Sequence, residues 1–231
     1  MQQPVPRPRR RRRPLLWLTV VVVVILVILG IGDQVAKGVA QNRIAQQIQQ
    51  QSGLSAKPSV TIEGWPFLTQ VLAHDLKTVD ISASNVTADS DKLPFSVTAK
   101  ATGVHLNSSF TGATVDHING QAVLPFSSVA TLVPGGAATI TADPAAGPNA
   151  VKVNLGVVGS VTGTVKQTSP SKIAITLSSA SGFAALFSQL SGNAITIAIP
   201  QLPAGLVVQS VSVTSQGIVA TASASNTTLT E

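Results

Sequence analysis

The chain has 231 residues and a formal net charge of +6. Six of its 15 basic residues are arginines within the first thirteen positions, so the nine that remain balance the nine acidic residues. A neutral body offers no stripe of positive charge for a phosphate backbone, which argues against specific nucleic-acid binding. The absence of cysteine excludes disulfides, thiolate metal sites and a catalytic thiol.

The arginine-rich tail, residues 1–13, precedes an uncharged stretch, residues 14–32, with the sequence PLLWLTVVVVVILVILGIG. As a helix this stretch would span about 28 Å, close to the hydrocarbon thickness of a bilayer. The positive-inside rule then predicts a single-pass anchor with a cytoplasmic N-terminus and with residues 33–231 outside the cytoplasm. A cleaved secretory signal is the alternative, although the small-residue segment at 38–40 lies far from the apolar stretch.

A second helix is predicted after the anchor, over residues 33–53. Its apolar positions recur at helical spacing: Val35, Val39, Ile44 and Ile48. Asp33 is expected to cap the start of this helix. Gly30 and Gly32 are expected to let the helix turn relative to the anchor.

Alternation of apolar and polar residues then predicts antiparallel strands that are wetted on one face. The segments with this pattern are SVTIEG, TVDISAS, VKVNLGV, SKIAITL and the hairpin VVQSVSVTSQGIVATASAS, which turns at residues 215–217. PFLTQVLA and GFAALFSQL break the alternation and predict short helices. Because no long linker divides residues 33–231, we expect one α+β domain.

The sequence offers no arrangement that points to catalysis or metal binding. His74, His105 and His117 lack metal-ligand spacing, and no G-x-S-x-G motif is present. GVVGSVTG is rich in glycine but lacks the lysine of a phosphate-binding loop. We therefore expect a binding protein rather than an enzyme, with no cofactor and no metal. A hydrolase or transferase with dispersed catalytic residues stays open as an alternative.

Two predicted strands place small side chains on one face. These positions are Val97, Ala99 and Ala101 in one strand, and Ile218, Ala220, Ala222 and Ala224 in the other. Small side chains either let a helix pack closely, as in a solid scaffold, or leave a hollow. A hollow would suit a lipid tail, because each buried methylene contributes about 0.8 kcal/mol.

Two blocks of the sequence resemble a known family, the LmeA-like phospholipid-binding proteins of the actinobacterial envelope. GWPFLTQVLAHDLKTVDISASNV is similar to the family pattern G-x-P-F-L-T-Q-[VL]-L-A followed by a strand. LPAGLVVQSVSVTSQGIVATASASNTTL is similar to L-P-x-G-L-x-[VL]-x-S-V-x-V followed by a hairpin. The family block often has Gly-Arg or Gly-Lys where this chain has His74 and Asp75, so the basic headgroup contact that the resemblance implies has no direct match there, and His74 or Lys77 could take its place.

The resemblance implies a tubular lipid-binding (TULIP or BPI-like) fold. In such a fold a highly curved antiparallel sheet wraps around a long helix and encloses a lipid groove. It also implies phospholipid binding in the cell envelope or periplasm, in the service of lipoglycan assembly, with enzymes of envelope glycolipid synthesis as partners.

Lipid contacts are predicted for apolar residues of both blocks and of the second short helix. They are Trp65, Phe67, Leu68, Val71, Leu72, Phe183, Phe187, Leu202 and Leu206. Pro66 fixes the entry to the first short helix, whose apolar face follows at helical spacing. This corner is expected to close one end of a lipid groove or to rest against the membrane, and an ordinary core corner fits the same pattern.

Overall fold

The computed structural model describes residues 13–87, 93–133, 138–156, 159–169, 172–178, 194–198 and 205–230. Its helices are α1 (Arg13–Ser52), α2 (Phe67–Leu72) and α3 (Phe126–Ala130). The first strands are β1 (Ser59–Glu63), β2 (Asp75–Val86), β3 (Phe95–Leu106), β4 (Gly112–Pro125) and β5 (Thr139–Ala142). They are followed by β6 (Ala150–Asn154), β7 (Ser160–Ser169), β8 (Lys172–Leu177), β9 (Ala194–Ala198), β10 (Val207–Thr214) and β11 (Gly217–Thr230). The predicted α+β class is confirmed.

Helix α1 is one continuous element of 40 residues, so the predicted anchor and the predicted second helix are joined. The expected turn at Gly30 and Gly32 is wrong, because both glycines lie inside the helix. The expected N-cap role of Asp33 is wrong for the same reason. From Val21 onward the helix contains a stretch that is long and apolar enough to cross a membrane, a property that a signal sequence would share.

The second half of α1 packs on a six-stranded antiparallel sheet with the order β1-β2-β3-β4-β11-β10. The helix residues that contact this sheet are Ala36, Ala40, Ile44, Ala45 and Ile48. Val35 and Val39 are exposed, so the predicted apolar face is wrong in its first two turns. Alanine at three of these positions, 36, 40 and 45, lets the helix approach the sheet closely.

The inner face of the large sheet shifts by one residue near its α2 end. The row Val79–Ala101–Ile118 and the row Leu76–Val104–Val115 both face the α1 core, although they lie three residues apart along each strand. Gly103, in the intervening part of β3, has a φ of 63°. This positive φ favours glycine, and a Cβ atom on Gly103 would also collide with the Asp116 side chain.

A second antiparallel sheet has the order β5-β6-β7-β8-β9. Together with α3 it packs against the end of the large sheet that lies away from α2, around Leu124, Val211 and Ile218. Asn149 links the two sheets, since its Nδ2 donates to the Val211 carbonyl at 3.3 Å and its Oδ1 accepts from the Val213 amide at 3.0 Å.

The predicted strands and the hairpin at 215–217 are confirmed, as is the short helix in PFLTQVLA. Helix α3 is an addition that the strand alternation did not indicate. The predicted helix GFAALFSQL lies outside the described residues. The strands form two sheets rather than one, and the wrapping of a curved sheet around the helix stays a prediction.

Replacement of Asn149 by alanine should weaken the link between the sheets. Asn149 has a φ of 62°, which asparagine tolerates better than alanine, and it forms both side-chain bonds to β10. We expect the free energy of unfolding to fall by about 2–3 kcal/mol, measured by urea unfolding of the full chain in detergent. Asn154→Ala is the matched control, because the described hydrogen bond of the Asn154 side chain lies within its own turn. An equal loss in both variants would contradict this role.

Candidate functional site

The middle of the large sheet carries a patch of small side chains on its inner face. We call this patch the small-residue floor. It comprises seven residues of β3, β4, β11 and β10: Val97, Ala99, Gly120, Ala122, Val208, Ala220 and Ala222.

 The seven residues form two adjacent rows of paired positions, Val97–Ala122–Ala220 and Ala99–Gly120–Ala222–Val208. Directly paired residues of an antiparallel ladder share one face, so the floor faces the same side as Ile118, which contacts the α1 core.

The floor lies between the two hydrophobic cores and belongs to neither of them. All seven of its residues are half-buried. Among the described residues, the α1 core reaches the floor at Ile81, Ala101 and Ala224, and the second core reaches it at Leu124 and Val211. The floor is thus an apolar strip that neither α1 nor the second sheet covers with its core residues.

The dimensions of the floor suit a hydrocarbon chain. The floor covers four strands, from β3 to β10, which at a spacing of about 4.8 Å extend over roughly 14 Å. One lipid tail occupies half of a hydrocarbon core of about 30 Å, or about 15 Å. An apolar strip of this length can hold one tail by burial alone, without a charged partner.

The opposite face of the same strands is polar and carries a shallow depression of about 590 Å³. Its lining includes Asp80, Lys100, Asn119 and Gln121, which alternate along the strands with the floor residues. The Lys100 ammonium lies 3.5 Å from the Asp80 carboxylate. The lining also includes the floor residues Ala99, Gly120 and Ala222, but its polar side chains do not suit a hydrocarbon tail.

Helix α2 is held to α1, β1 and β2 by hydrogen bonds of two buried side chains, Asp33 and Gln70. The Asp33 Oδ1 accepts the Leu68 amide at 2.7 Å, so Asp33 caps α2 rather than α1. Gln70 donates to the Glu63 carbonyl and accepts from the Lys77 amide, both at 3.2 Å. Asp33 is 35 residues from Leu68, so sequence reasoning had no local signal for this contact.

The first motif block supplies the parts of this arrangement. Gly64 has a φ of 97°, and a Cβ atom there would lie 2.7 Å from the Gln70 Nε2. Glycine at position 64 therefore leaves room for the amide that joins β1 to β2. Sequence analysis noted Gln70 only as part of the motif, and the structure gives it a positioning role.

The structure divides the predicted lipid-contacting residues into separate groups. Trp65, Leu68 and Leu72 are exposed around α2, whereas Phe67 is buried in the α1 core. Val71 and Leu206 are half-buried and pack against that core. The remaining predicted residues, Phe183, Phe187 and Leu202, lie outside the described residues. Lipid contact by these nine residues stays a prediction, and none of the described ones belongs to the floor.

The histidines are spread over the α2 end of the large sheet. His105 lies between Asp75 and Asp116, at 3.6 Å and 3.4 Å from their carboxylates, and all three side chains are exposed. His74 stacks on Phe110 with ring centroids 4.7 Å apart. Within the described ranges, no group of three or more His, Cys, Asp or Glu residues is arranged to hold a metal ion.

Comparison with known proteins gives one family. The family model described as LmeA-like phospholipid-binding matches residues 31–223, which include both α2 and the floor. No curated protein and no solved structure matches the chain.

Replacement of Asp33 by alanine should release α2 from α1. Loss of a hydrogen bond to a charged acceptor costs about 1.5–3 kcal/mol, so the Leu68 amide should exchange its hydrogen at least tenfold faster. Asp33→Asn keeps an oxygen acceptor and should largely preserve protection, and Gln34→Ala, at an exposed neighbouring position, is the matched control. Unchanged protection of Leu68 in the alanine variant would show that Asp33 does not hold α2.

Proposed function

We propose that the chain binds a phospholipid whose tail lies on the small-residue floor. The premise is that the chain belongs to the LmeA-like phospholipid-binding family. The family supports phospholipid binding, and the floor is the described apolar surface that fits a tail. A tail of sixteen carbons would contribute on the order of 12 kcal/mol before the cost of ordering it. The single observation that carries the proposal is the apolar strip between the two cores, which no core residue of the described elements covers.

Binding and release of an intact lipid change no covalent bond, so the proposed function requires no general acid, nucleophile or metal. Small residues suit this role because they leave space above the sheet while still offering an apolar surface. Leucine or phenylalanine at the same positions would fill that space with the protein's own side chains.

The proposal places the chain in a membrane through the apolar first half of α1. The arginine-rich tail would then stay in the cytoplasm, and residues 33–231 would lie outside it. A tethered protein that carries or presents phospholipid would serve assembly of the cell envelope, including its lipoglycans. Enzymes of envelope glycolipid synthesis are the corresponding partners.

Ala222→Phe tests the position of the tail. Ala222 lies in the centre of the floor, so a phenyl ring there should occupy the space of the tail and lower bound phospholipid at least fivefold. Ser223→Phe is the matched control, because the next residue of the same strand points to the polar face. Bound phospholipid is measured by organic extraction and mass spectrometry of the purified full chain after incubation with labelled phosphatidylglycerol vesicles.

Equal loading of the two variants would contradict the proposal. If Ala222→Phe also lowered the free energy of unfolding by about 1–3 kcal/mol, the space above Ala222 would be filled by protein, as in a solid scaffold. Release of free fatty acid or headgroup from the labelled lipid would instead establish a hydrolase or transferase.

A further inference from the structure

Four exposed apolar side chains lie together at the α2 end of the domain. Trp65 is 72% exposed, Leu68 39%, Leu72 79% and Phe110 54%. We call these four residues the apolar corner. Contiguous apolar surface of this kind marks an interaction site more often than single exposed residues do.

The apolar corner is held together by contacts between α2 and the β3–β4 turn. His74 lies two residues after the end of α2, and its ring stacks on Phe110 with an interplanar angle of 21°. The His74 carbonyl accepts the Leu106 amide at 2.8 Å, which fixes the end of β3 to the end of α2. The tip of the turn therefore stays beside the helix that carries Leu68 and Leu72.

A hydrogen bond also fixes the position of the corner along the axis of α1. The Leu68 amide bonds to Asp33, the first charged residue after the uncharged stretch 14–32. At a rise of 1.5 Å per residue, the exposed Leu29 lies only about 6 Å along the helix axis from Asp33. The corner is thus level with the point at which α1 becomes apolar on all sides.

We propose that the apolar corner inserts into the interface of the bilayer leaflet from which α1 emerges. The occupant of this surface is the lipid bilayer itself, and the inference rests on the proposed anchoring by α1. Tryptophan favours the interface because its ring is apolar and its N–H group can still reach water or headgroups. Insertion of Trp65 and Leu72 would hold the domain at the membrane surface from which it takes lipid.

Trp65 is a natural reporter for this contact, since the chain has only one other tryptophan, Trp17. The full chain with Trp17→Phe is reconstituted into phosphatidylcholine–phosphatidylglycerol vesicles that contain lipids with a nitroxide near the headgroup or on the tail. We expect a blue-shifted Trp65 emission, loss of at least half of its intensity to the shallow nitroxide, and protection from aqueous iodide.

The matched control moves the reporter to the opposite end of the large sheet. Gln216→Trp, in a chain that also carries Trp17→Phe and Trp65→Phe, places it in the exposed β10–β11 turn. The 14 residues of β11 place this turn roughly 45 Å from the corner end. This reporter should be quenched by iodide and not by either nitroxide.

The outcomes separate the corner from the floor. If iodide quenches Trp65 as strongly as it quenches the Gln216→Trp reporter, insertion of the corner is overturned. This conclusion does not depend on how much phospholipid the chain binds in the loading experiment. If alkaline carbonate removes the chain from the vesicles, anchoring by α1 is wrong and insertion of the corner falls with it. If the chain binds no labelled phospholipid while the shallow nitroxide still quenches Trp65 as expected, the floor proposal alone is overturned.

Discussion

The small size of the side chains in the middle of the large sheet is the constraint on which the rest of the structure depends. Ala99, Gly120 and Ala222 cannot reach across to a second layer, so the space above them is filled only if another element approaches closely. Helix α1 packs to one side of them, and the second sheet packs to the other. An apolar strip between two cores is the result, and we propose a lipid tail as its ligand.

The two sequence blocks that carry the family resemblance form two different parts of this arrangement. The first block builds α2, with Gly64 and Gln70 as its structural supports. The second block forms the β10–β11 hairpin, which contributes Val208, Ala220 and Ala222 to the floor. Along β4, the floor begins at Gly120, about eight residues or at most about 26 Å from the strand end beside the apolar corner. If the corner lies at the membrane interface, a tail bound on the floor would have left the bilayer.

Local patterns in the sequence predicted the elements, but contacts between distant residues decided their arrangement. Alternation located the strands, because a sheet with one wet face repeats every two residues. Helical spacing located α1 but not its contacting face, since Val35 and Val39 fit the period as well as Ala36 and Ala40 do. The capping of α2 by Asp33 and the bridge from Asn149 to β10 join residues 35 and more than 60 positions apart, where no local pattern applies. Alternation predicted the small residues of β3 and β11 but not Gly120, Ala122 or Val208 of the floor. Whether they are covered depends on where α1 lies across the sheet.

Photocrosslinking of a bound lipid tests the central claim most directly. The full chain in vesicles is loaded with a phospholipid that carries a diazirine at the end of one tail, irradiated, and digested for mass spectrometry. We predict crosslinks in the peptides that contain Ala99, Gly120 and Ala222, in addition to those from the apolar part of α1. Crosslinks confined to residues 21–32 and the apolar corner would contradict the account, because they would show that the tail never leaves the bilayer for the sheet.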